Sequence, residues 1–262
     1  MLNRFSSHAR HSAVVEFCWF SLQHLLDRVL RPKISSSAAV AEGRGILRRE
    51  GLVKLGRLED SRVLELRRVL DGHVGRDKER RPGEDLRAWG VESHIPSWKD
   101  LGEELRALVS EHVGRRWEIA TVMGNLVPPE SNSEGSGGGW HRDSNAPQYK
   151  IMIFLSDVRS VDDGAFSYLP GSHRYLKIAR SFNSNGRWRD KANRWDEQSI
   201  ARQAVRLRPK LGVSGEIIMF NGSMIHRGAP NIRGSNRWAL TLYLFPAGKM
   251  PTHLRILVEQ QD

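Results

Sequence analysis

The chain has 262 residues, which is enough to bury a sizeable core within one large mixed domain. Cys18 is the single cysteine, which excludes an intramolecular disulfide and a cysteine-based zinc site and fits a reducing compartment, so we expect a cytoplasmic protein. Lysine and arginine outnumber aspartate and glutamate by 41 to 30, giving a formal net charge of +11. Residues 174–210 concentrate this excess, with eleven basic and three acidic side chains.

The first predicted element is an amphipathic helix from Ser12 to Arg31, within an N-terminal unit of residues 1–33. Nine apolar residues form one arc at 100° per residue: Val14, Val15, Cys18, Trp19, Leu22, Leu25, Leu26, Val29 and Leu30. Glu16 interrupts the apolar run, which argues against a secretory signal, and the stretch is too polar to span a bilayer. The helix packs on its own domain, at an oligomer contact or peripherally on the inner face of an anionic membrane.

Residues 34–44 are rich in serine and alanine and predict a linker. A strand at Leu52–Leu55 and a helix from about residue 60 to Leu70 follow, and then a polar loop over residues 71–85. Ser97 is predicted to cap a further helix, in which apolar residues from Trp98 to Val113 recur at helical spacing. We expect these helices to flank a sheet.

Strands dominate after residue 116. They are predicted at residues 118–127, 149–155, 165–169, 216–220 and 237–245. A loop of glycine and serine at residues 131–139 precedes His141, and it is either a lid or a plain disordered loop. We therefore predict a domain over residues 45–250, with a basic insertion at 174–210 and a tail at 251–262.

His141 and Asp143 are the first candidates for a functional site. Residues two apart on an extended strand point to the same side, so both could hold one metal ion. His226 is the candidate third ligand, and two imidazoles with one carboxylate suit a non-haem Fe(II) oxygenase. Arg237 supplies a planar fork for a carboxylate. A His-x-Asp pair alone is a weak signal, so its context decides the matter.

That context resembles the Fe(II)- and 2-oxoglutarate-dependent oxygenases of the phytanoyl-CoA dioxygenase type. The resemblance covers about residues 45–245. It runs from Gly51-Leu52-Val53 through Trp140-His141-Arg142-Asp143, the segment 164–174 with its Pro-Gly-Ser-His-Arg turn, and Gly215-Glu216, to His226 and Arg237. It implies a mixed α/β, mainly β fold, the cupin-like double-stranded β-helix or jelly roll, with flanking helices.

The resemblance also implies roles for individual residues. His141, Asp143 and His226 match the iron ligands, and Arg237 matches the residue that binds the distal carboxylate of 2-oxoglutarate. Asn125 and Lys150 are weaker matches to residues that touch the co-substrate. Related halogenases have a small residue in place of Asp143, so the aspartate favours hydroxylation with O₂, in which 2-oxoglutarate is converted to succinate and CO₂.

The basic insertion bears on the substrate. Arg187, Arg189 and Arg194 alternate with Trp188 and Trp195. This pattern indicates either a solvated helix or a surface for an anionic substrate such as a glycolipid or a CoA ester. The sequence has no recognisable nucleic-acid-binding module, which argues against nucleic acid as a partner.

The basic rim together with the N-terminal helix suggests the branch that hydroxylates Kdo, the acidic sugar of lipopolysaccharide, at a membrane surface. A soluble hydroxylase of a small metabolite is the alternative. A third possibility, from another class, is a non-catalytic β-barrel that binds an acidic partner. The sequence leaves the oligomeric state open.

Overall fold

The computed structural model describes residues 37–74, 85–114, 116–130, 139–143, 148–174, 194–202, 204–232 and 235–247. Four predicted features lie outside these ranges: the helix at 12–31, most of the lid, the segment that contains Arg187 and Arg189, and the tail at 251–262.

Three long helices precede most of the strands in the described part of the chain. The helices are α1 (Ala38–Glu50), α2 (Asp60–His73), α3 (Trp98–Val113) and the short α4 (Glu197–Ala201), with 3₁₀ turns at Val91–His94 and Ala204–Arg206. The strands are β1 (Leu52–Arg57), β2 (Leu86–Trp89), β3 (Trp117–Val127), β4 (Trp140–His141), β5 (Tyr149–Phe154), β6 (Phe166–Tyr168), β7 (Arg194–Trp195), β8 (Arg208–Lys210), β9 (Glu216–Asn221), β10 (His226–Gly228) and β11 (Arg237–Pro246).

These strands form two antiparallel sheets. The large sheet has the order β1-β9-β5-β11-β3-β2, and the small sheet has the order β7-β4-β10-β6-β8. Consecutive strands of the chain alternate between the sheets over much of this region, as expected for a jelly roll. The predicted double-stranded β-helix is confirmed.

The main core lies between the outer face of the large sheet and helices α1 to α3. Strand β11 turns Leu240, Leu242 and Leu244 toward the helices, where Leu70 and Leu105 pack against this face of the sheet, and all five are fully buried. Alternation on the same strand turns the residues between them inward, toward the small sheet. The outer face of the large sheet therefore forms the core with the helices, and the inner face is available for a functional site.

The linker predicted over residues 34–44 is wrong from residue 38 onward, because helix α1 begins there. Val40, Gly43 and Leu47 recur at spacings of three and four and are buried, which is the pattern of a helix packed on one side. The Ser37 hydroxyl caps the helix by accepting a hydrogen bond from the Val40 backbone N–H at 3.3 Å. Because residues 34–44 contain many small residues, the sequence pattern did not reveal this short apolar stripe.

Ser97 does precede α3, but the predicted capping bond is absent. Its hydroxyl instead donates to Glu65 Oε2 at 3.1 Å, and its backbone N–H donates to Glu65 Oε1 at 3.0 Å. Ser97 therefore ties α3 to α2 across the surface of the sheet. The polar loop predicted from residue 71 begins later, since α2 continues to His73.

Candidate metal centre

Two histidines face each other across the small sheet. His226 on β10 lies directly opposite His141 on β4, and their ring centroids are 4.5 Å apart. Residues directly opposite in an antiparallel pair project from the same face of the sheet. Asp143 follows immediately, and its backbone N–H donates to the Gly222 carbonyl at 2.9 Å. Register therefore brings together side chains from two distant parts of the sequence.

The three side chains converge on one point. Nitrogen and oxygen atoms of His141, Asp143 and His226 all lie within 4.8 Å of one another. The carboxylate oxygens of Asp143 are 3.6 Å from His141 Nε2 and 3.2 Å from His226 Nε2. Two imidazoles and one carboxylate on one triangular face form the donor set preferred by non-haem Fe(II), with positions left for a co-substrate.

Backbone carbonyls orient both rings. His141 Nδ1 lies 2.8 Å from the Gly139 carbonyl, and His226 Nδ1 lies 2.7 Å from the Met224 carbonyl. Each Nδ1 therefore carries the proton and donates it, which leaves a lone pair on Nε2 directed toward Asp143. Asp143 Oδ2 is buried and has no hydrogen-bond partner. A buried lone pair beside two imidazole lone pairs fits a bound cation.

The electrostatics of the site keep these groups in the states that bind metal. Burial disfavours the Asp143 carboxylate, but its neighbours, foremost the Lys150 ammonium, outweigh burial and hold the pKa of Asp143 well below its usual range. Burial lowers the pKa of His226 despite the neighbouring carboxylate, so its ring is neutral at neutral pH. Lys150 Nζ lies 2.7 Å from Asp143 Oδ1 and balances its charge.

The Pro-Gly-Ser-His-Arg turn supports the ligand strands from behind. The Ser172 hydroxyl accepts a hydrogen bond from the Ile225 backbone N–H at 2.8 Å, directly before His226. The Ser172 carbonyl accepts from Arg142 Nη2 at 2.8 Å, directly after His141. One residue of the turn thus holds both histidine strands, which is a physical reason for this motif beside this site.

Arg237 lies buried on the inner face of the large sheet. It donates from Nη1 to the Gly164 carbonyl at 2.6 Å and from Nη2 to Asn125 Oδ1 at 2.9 Å. Its Nε is buried without a hydrogen-bond partner, and burial lowers its pKa. Ala239 and Thr241 follow on the same face and are small enough to leave space beside it. A buried guanidinium with an unused donor fits an incoming carboxylate.

The structure describes three of the five weaker candidates, Asn125, Lys150 and Arg194. Asn125 orients Arg237, and Lys150 contacts Asp143, so both border the predicted co-substrate site, while their contact with 2-oxoglutarate stays a prediction. Arg194 is exposed on β7, directly opposite His141. Arg187 and Arg189 lie outside the described residues.

The sequence did not predict a contact that joins the basic insertion to the two strands that carry the histidines. Glu197 on α4 accepts a hydrogen bond from Trp140 Nε1 at 3.3 Å and forms a salt bridge with Arg227. The Arg227 guanidinium also lies over the Trp140 ring, 4.7 Å from its centroid. Trp140 and Arg227 each neighbour a histidine candidate on its strand, so alternation could have predicted that both point outward.

Phe166 and Phe220 were also missed. Their ring centroids lie 5.2 Å and 5.3 Å from that of His226, and both residues are buried. They shield this side of the site from water. No spacing in the sequence relates residues 166 and 220 to residue 226, so only the folded chain reveals the contact.

Comparisons with known proteins agree with this geometry. The sequence profile of the phytanoyl-CoA dioxygenase (PhyH) family matches residues 62–239. A sequence comparison with curated proteins finds no match. The non-catalytic β-barrel alternative is wrong, since the chain has both the family profile and the metal-binding group.

Solved structures of low sequence identity share the fold. AviO1 from Streptomyces viridochromogenes Tue57 is 19% identical, with a TM-score of 0.60, and the match covers 83% of this chain and 99% of AviO1. The epimerase SnoN, solved with Fe³⁺, α-ketoglutarate and nogalamycin RO, is 17% identical, with a TM-score of 0.64 and coverage of 84% and 89%.

HygX from Streptomyces hygroscopicus, solved with nickel and 2-oxoglutarate, is 18% identical, with a TM-score of 0.57 and coverage of 82% and 89%. The profile match spans well over half of the sequence and includes the His-x-Asp pair and the second histidine. The chain therefore belongs to the phytanoyl-CoA dioxygenase (PhyH) family of Fe(II)- and 2-oxoglutarate-dependent enzymes.

Proposed function

We propose that His141, Asp143 and His226 hold Fe(II) and that Arg237 binds the distal carboxylate of 2-oxoglutarate. The observation that carries this proposal is the convergence of three metal-binding side chains within 4.8 Å. When bound, iron and 2-oxoglutarate supply an O₂-dependent oxidation of the substrate coupled to release of succinate and CO₂.

The residues around the triad prepare the site for this reaction. Lys150 stabilises the ionised form of Asp143, and Arg237 orients the co-substrate by its fixed fork of donors. Phe166 and Phe220 exclude water next to His226, which strengthens the electrostatic interactions there. Asn125 holds Arg237 in place from the neighbouring strand.

The substrate that we propose is an anion to be hydroxylated. Two observations support this. Arg194 lies opposite His141, so its side chain leaves the sheet on the same face as the histidine. Residues 174–210 also carry eleven basic and three acidic side chains in the sequence. A cationic rim next to an oxidising centre would raise the local concentration of an acidic substrate.

A panel of substrates tests this proposal. Succinate release should rise above its uncoupled rate with acidic glycolipids, acidic sugars or CoA esters and stay at that rate with neutral analogues. Arg194→Glu should weaken capture of the acidic substrate, and the defect should shrink as salt rises, because salt screens exposed charges. Stimulation by neutral compounds alone would contradict the anionic substrate.

A membrane-borne substrate such as the Kdo sugar of lipopolysaccharide is the finer form of the proposal. It is supported by the basic flanks and apolar arc of residues 12–31, which lie outside the described residues. Among the helices that the structure does describe, none is both long and apolar enough to span a bilayer.

Deleting residues 1–33 separates the membrane-borne substrate from a soluble acid. We expect the deletion to reduce cosedimentation with anionic vesicles and to raise the KM for a vesicle-borne substrate, while uncoupled 2-oxoglutarate turnover survives. Unchanged vesicle binding by a folded deletion variant would favour the second candidate, a soluble hydroxylase of a small acid or CoA ester. A deletion that unfolds the protein would show that this helix packs on its own domain.

A further inference from the structure

Two large aromatic side chains remain half-buried on the inner face of the large sheet. Trp89 on β2 and Tyr243 on β11 have ring centroids 5.2 Å apart and planes inclined by 46°. Met123 lies opposite Trp89 on the intervening strand β3 and is buried, as is Thr241 on β11. The two rings thus form a partly exposed apolar surface at the border of a closely packed interior, which we call the aromatic platform.

The aromatic platform adjoins the metal centre. Tyr243 lies directly opposite Lys150 in the sheet, and Lys150 Nζ is 4.1 Å from the Tyr243 ring centroid. The same ammonium group is 2.7 Å from Asp143 Oδ1. A single side chain therefore connects the aromatic platform to a candidate iron ligand.

The aromatic platform and the predicted co-substrate site occupy different ends of one strand. Arg237 and Tyr243 are six residues apart on β11 and share the inner face, which places their Cα atoms roughly 20 Å apart at about 3.4 Å per residue. The small residues Ala239 and Thr241 lie between them. Arg237 and the aromatic platform therefore lie toward opposite ends of this face of β11, and the metal centre adjoins the platform through Lys150.

We propose that Trp89 and Tyr243 bind a sugar ring of the substrate and present it to the metal centre, an inference that rests on the proposed oxygenase function. A pyranose has a face of C–H groups that packs on aromatic rings, while its hydroxyl groups can bond to the indole N–H and to water. Because the planes of the two rings are inclined by 46°, the rings form an open V rather than two parallel walls. This shape fits a puckered sugar ring better than a flat nucleobase.

Calorimetric titration of protein loaded anaerobically with Fe(II) and 2-oxoglutarate tests the aromatic platform. Three probes separate ring from charge: the methyl glycoside of Kdo is a cyclic acid, methyl glucoside is a neutral ring, and gluconate is an open-chain acid. We expect Trp89→Leu and Tyr243→Leu each to raise the Kd of the cyclic acid at least fivefold and to change that of gluconate by less than twofold. Tyr243→Phe, which retains the ring, should change both by less than twofold.

Trp98→Leu is the matched control, because Trp98 is also half-buried but lies on α3 at the outer side of the large sheet. The Kd of 2-oxoglutarate reports whether each variant keeps its fold. Equal Kd values for the cyclic acid in the wild type and both leucine variants would overturn the aromatic platform, as would a wild type that binds no cyclic probe.

The same titrations distinguish this inference from the proposed anionic substrate. If methyl glucoside binds as tightly as the cyclic acid, and both leucine variants lose it, the aromatic platform stands and the anionic substrate fails. If gluconate binds as tightly as the cyclic acid and the variants are unaffected, the aromatic platform fails and the anionic substrate stands.

Discussion

The large and small sheets divide stability and chemistry between them. In the large sheet, β3 has 11 residues and β11 has 10, and their outer face packs on three helices. In the small sheet, β4 has two residues and β10 has three, yet these strands carry both histidines of the triad. Their backbone ladder is too short to hold them alone, so side chains such as Ser172 complete the support. Substitutions in the two sheets should therefore have separable effects.

The triad should show the largest effect. We expect His141→Ala, Asp143→Ala and His226→Ala each to reduce Fe(II) affinity and uncoupled 2-oxoglutarate turnover by more than roughly 100-fold, since loss of an outer-shell partner alone costs about 10-fold to 100-fold. Equilibrium dialysis and succinate release measure the two losses. His94→Ala, at an exposed position, should leave both unchanged. Full iron binding by all three variants would refute the triad.

A substitution that creates a cavity behind the large sheet should instead lower stability and leave iron binding intact. Leu105→Ala removes a fully buried side chain from the main core, and we expect it to lower the free energy of unfolding by about 3 kcal/mol. Iron affinity of the folded fraction should remain within twofold. Leu64→Ala, at a position that is 57% exposed, is the control and should cost less than about 0.5 kcal/mol in urea denaturation.

Substitution of Arg237 tests whether the inner face of the large sheet binds the co-substrate. Arg237→Leu deletes charge-assisted hydrogen bonds worth about 1.5–3 kcal/mol, so the Kd of 2-oxoglutarate should rise roughly 10-fold to 100-fold. Iron affinity without co-substrate should be retained, because the arginine is not part of the triad. Titration of the metal-loaded protein with 2-oxoglutarate measures the co-substrate Kd, and equilibrium dialysis of the metal-free protein measures iron affinity. An unaltered co-substrate Kd would exclude the assigned role.

Glu216 tests the link between the two sheets. It accepts hydrogen bonds from Lys54 on β1 of the large sheet and Lys210 on β8 of the small sheet. Burial opposes ionisation, but these lysines outweigh it and lower the pKa of Glu216. A carboxyl group whose pKa is lowered by folding stabilises the protein above its unfolded pKa of 4.5, and this stabilisation disappears as pH falls through the lower folded value.

We therefore expect Glu216→Gln to cost about 1 kcal/mol at pH 7, a small value because the Lys54 side chain is 58% exposed. The difference from the wild type should shrink below pH 4.5. Urea denaturation at several pH values measures it. A difference that is constant from pH 7 to pH 3 would show that loss of packing, rather than loss of the ion pairs, causes the effect.

The long elements could be predicted from the sequence because they repeat a pattern. The predicted strands at 118–127, 149–155, 216–220 and 237–245 each differ from the observed strand by one residue at one end, since long apolar strands pack on a large surface. Helix α3 was equally clear from its apolar spacing. Strands β4, β7, β8 and β10 have two or three residues, which is too short for a period to be detected.

The site could be predicted in part for the same reason. The spacing of His141 and Asp143 on an extended chain, together with the resemblance of the surrounding motifs, was enough to identify the family and the candidate metal-binding group. The contact between Lys150 and Asp143, however, joins the two sheets, and that of Glu197 with Arg227 joins a helix to a strand. Neither pair has a spacing that local periodicity could reveal.

The sequence by itself thus determined which residue types are available for the chemistry and which faces of the long elements are apolar. Only the tertiary structure decided that Arg194 lies opposite His141 and that Trp89 lies beside Tyr243. The physical reason is register: antiparallel pairing between distant segments sets which side chains share a face, and it depends on the packing of the whole sheet rather than on local residue order.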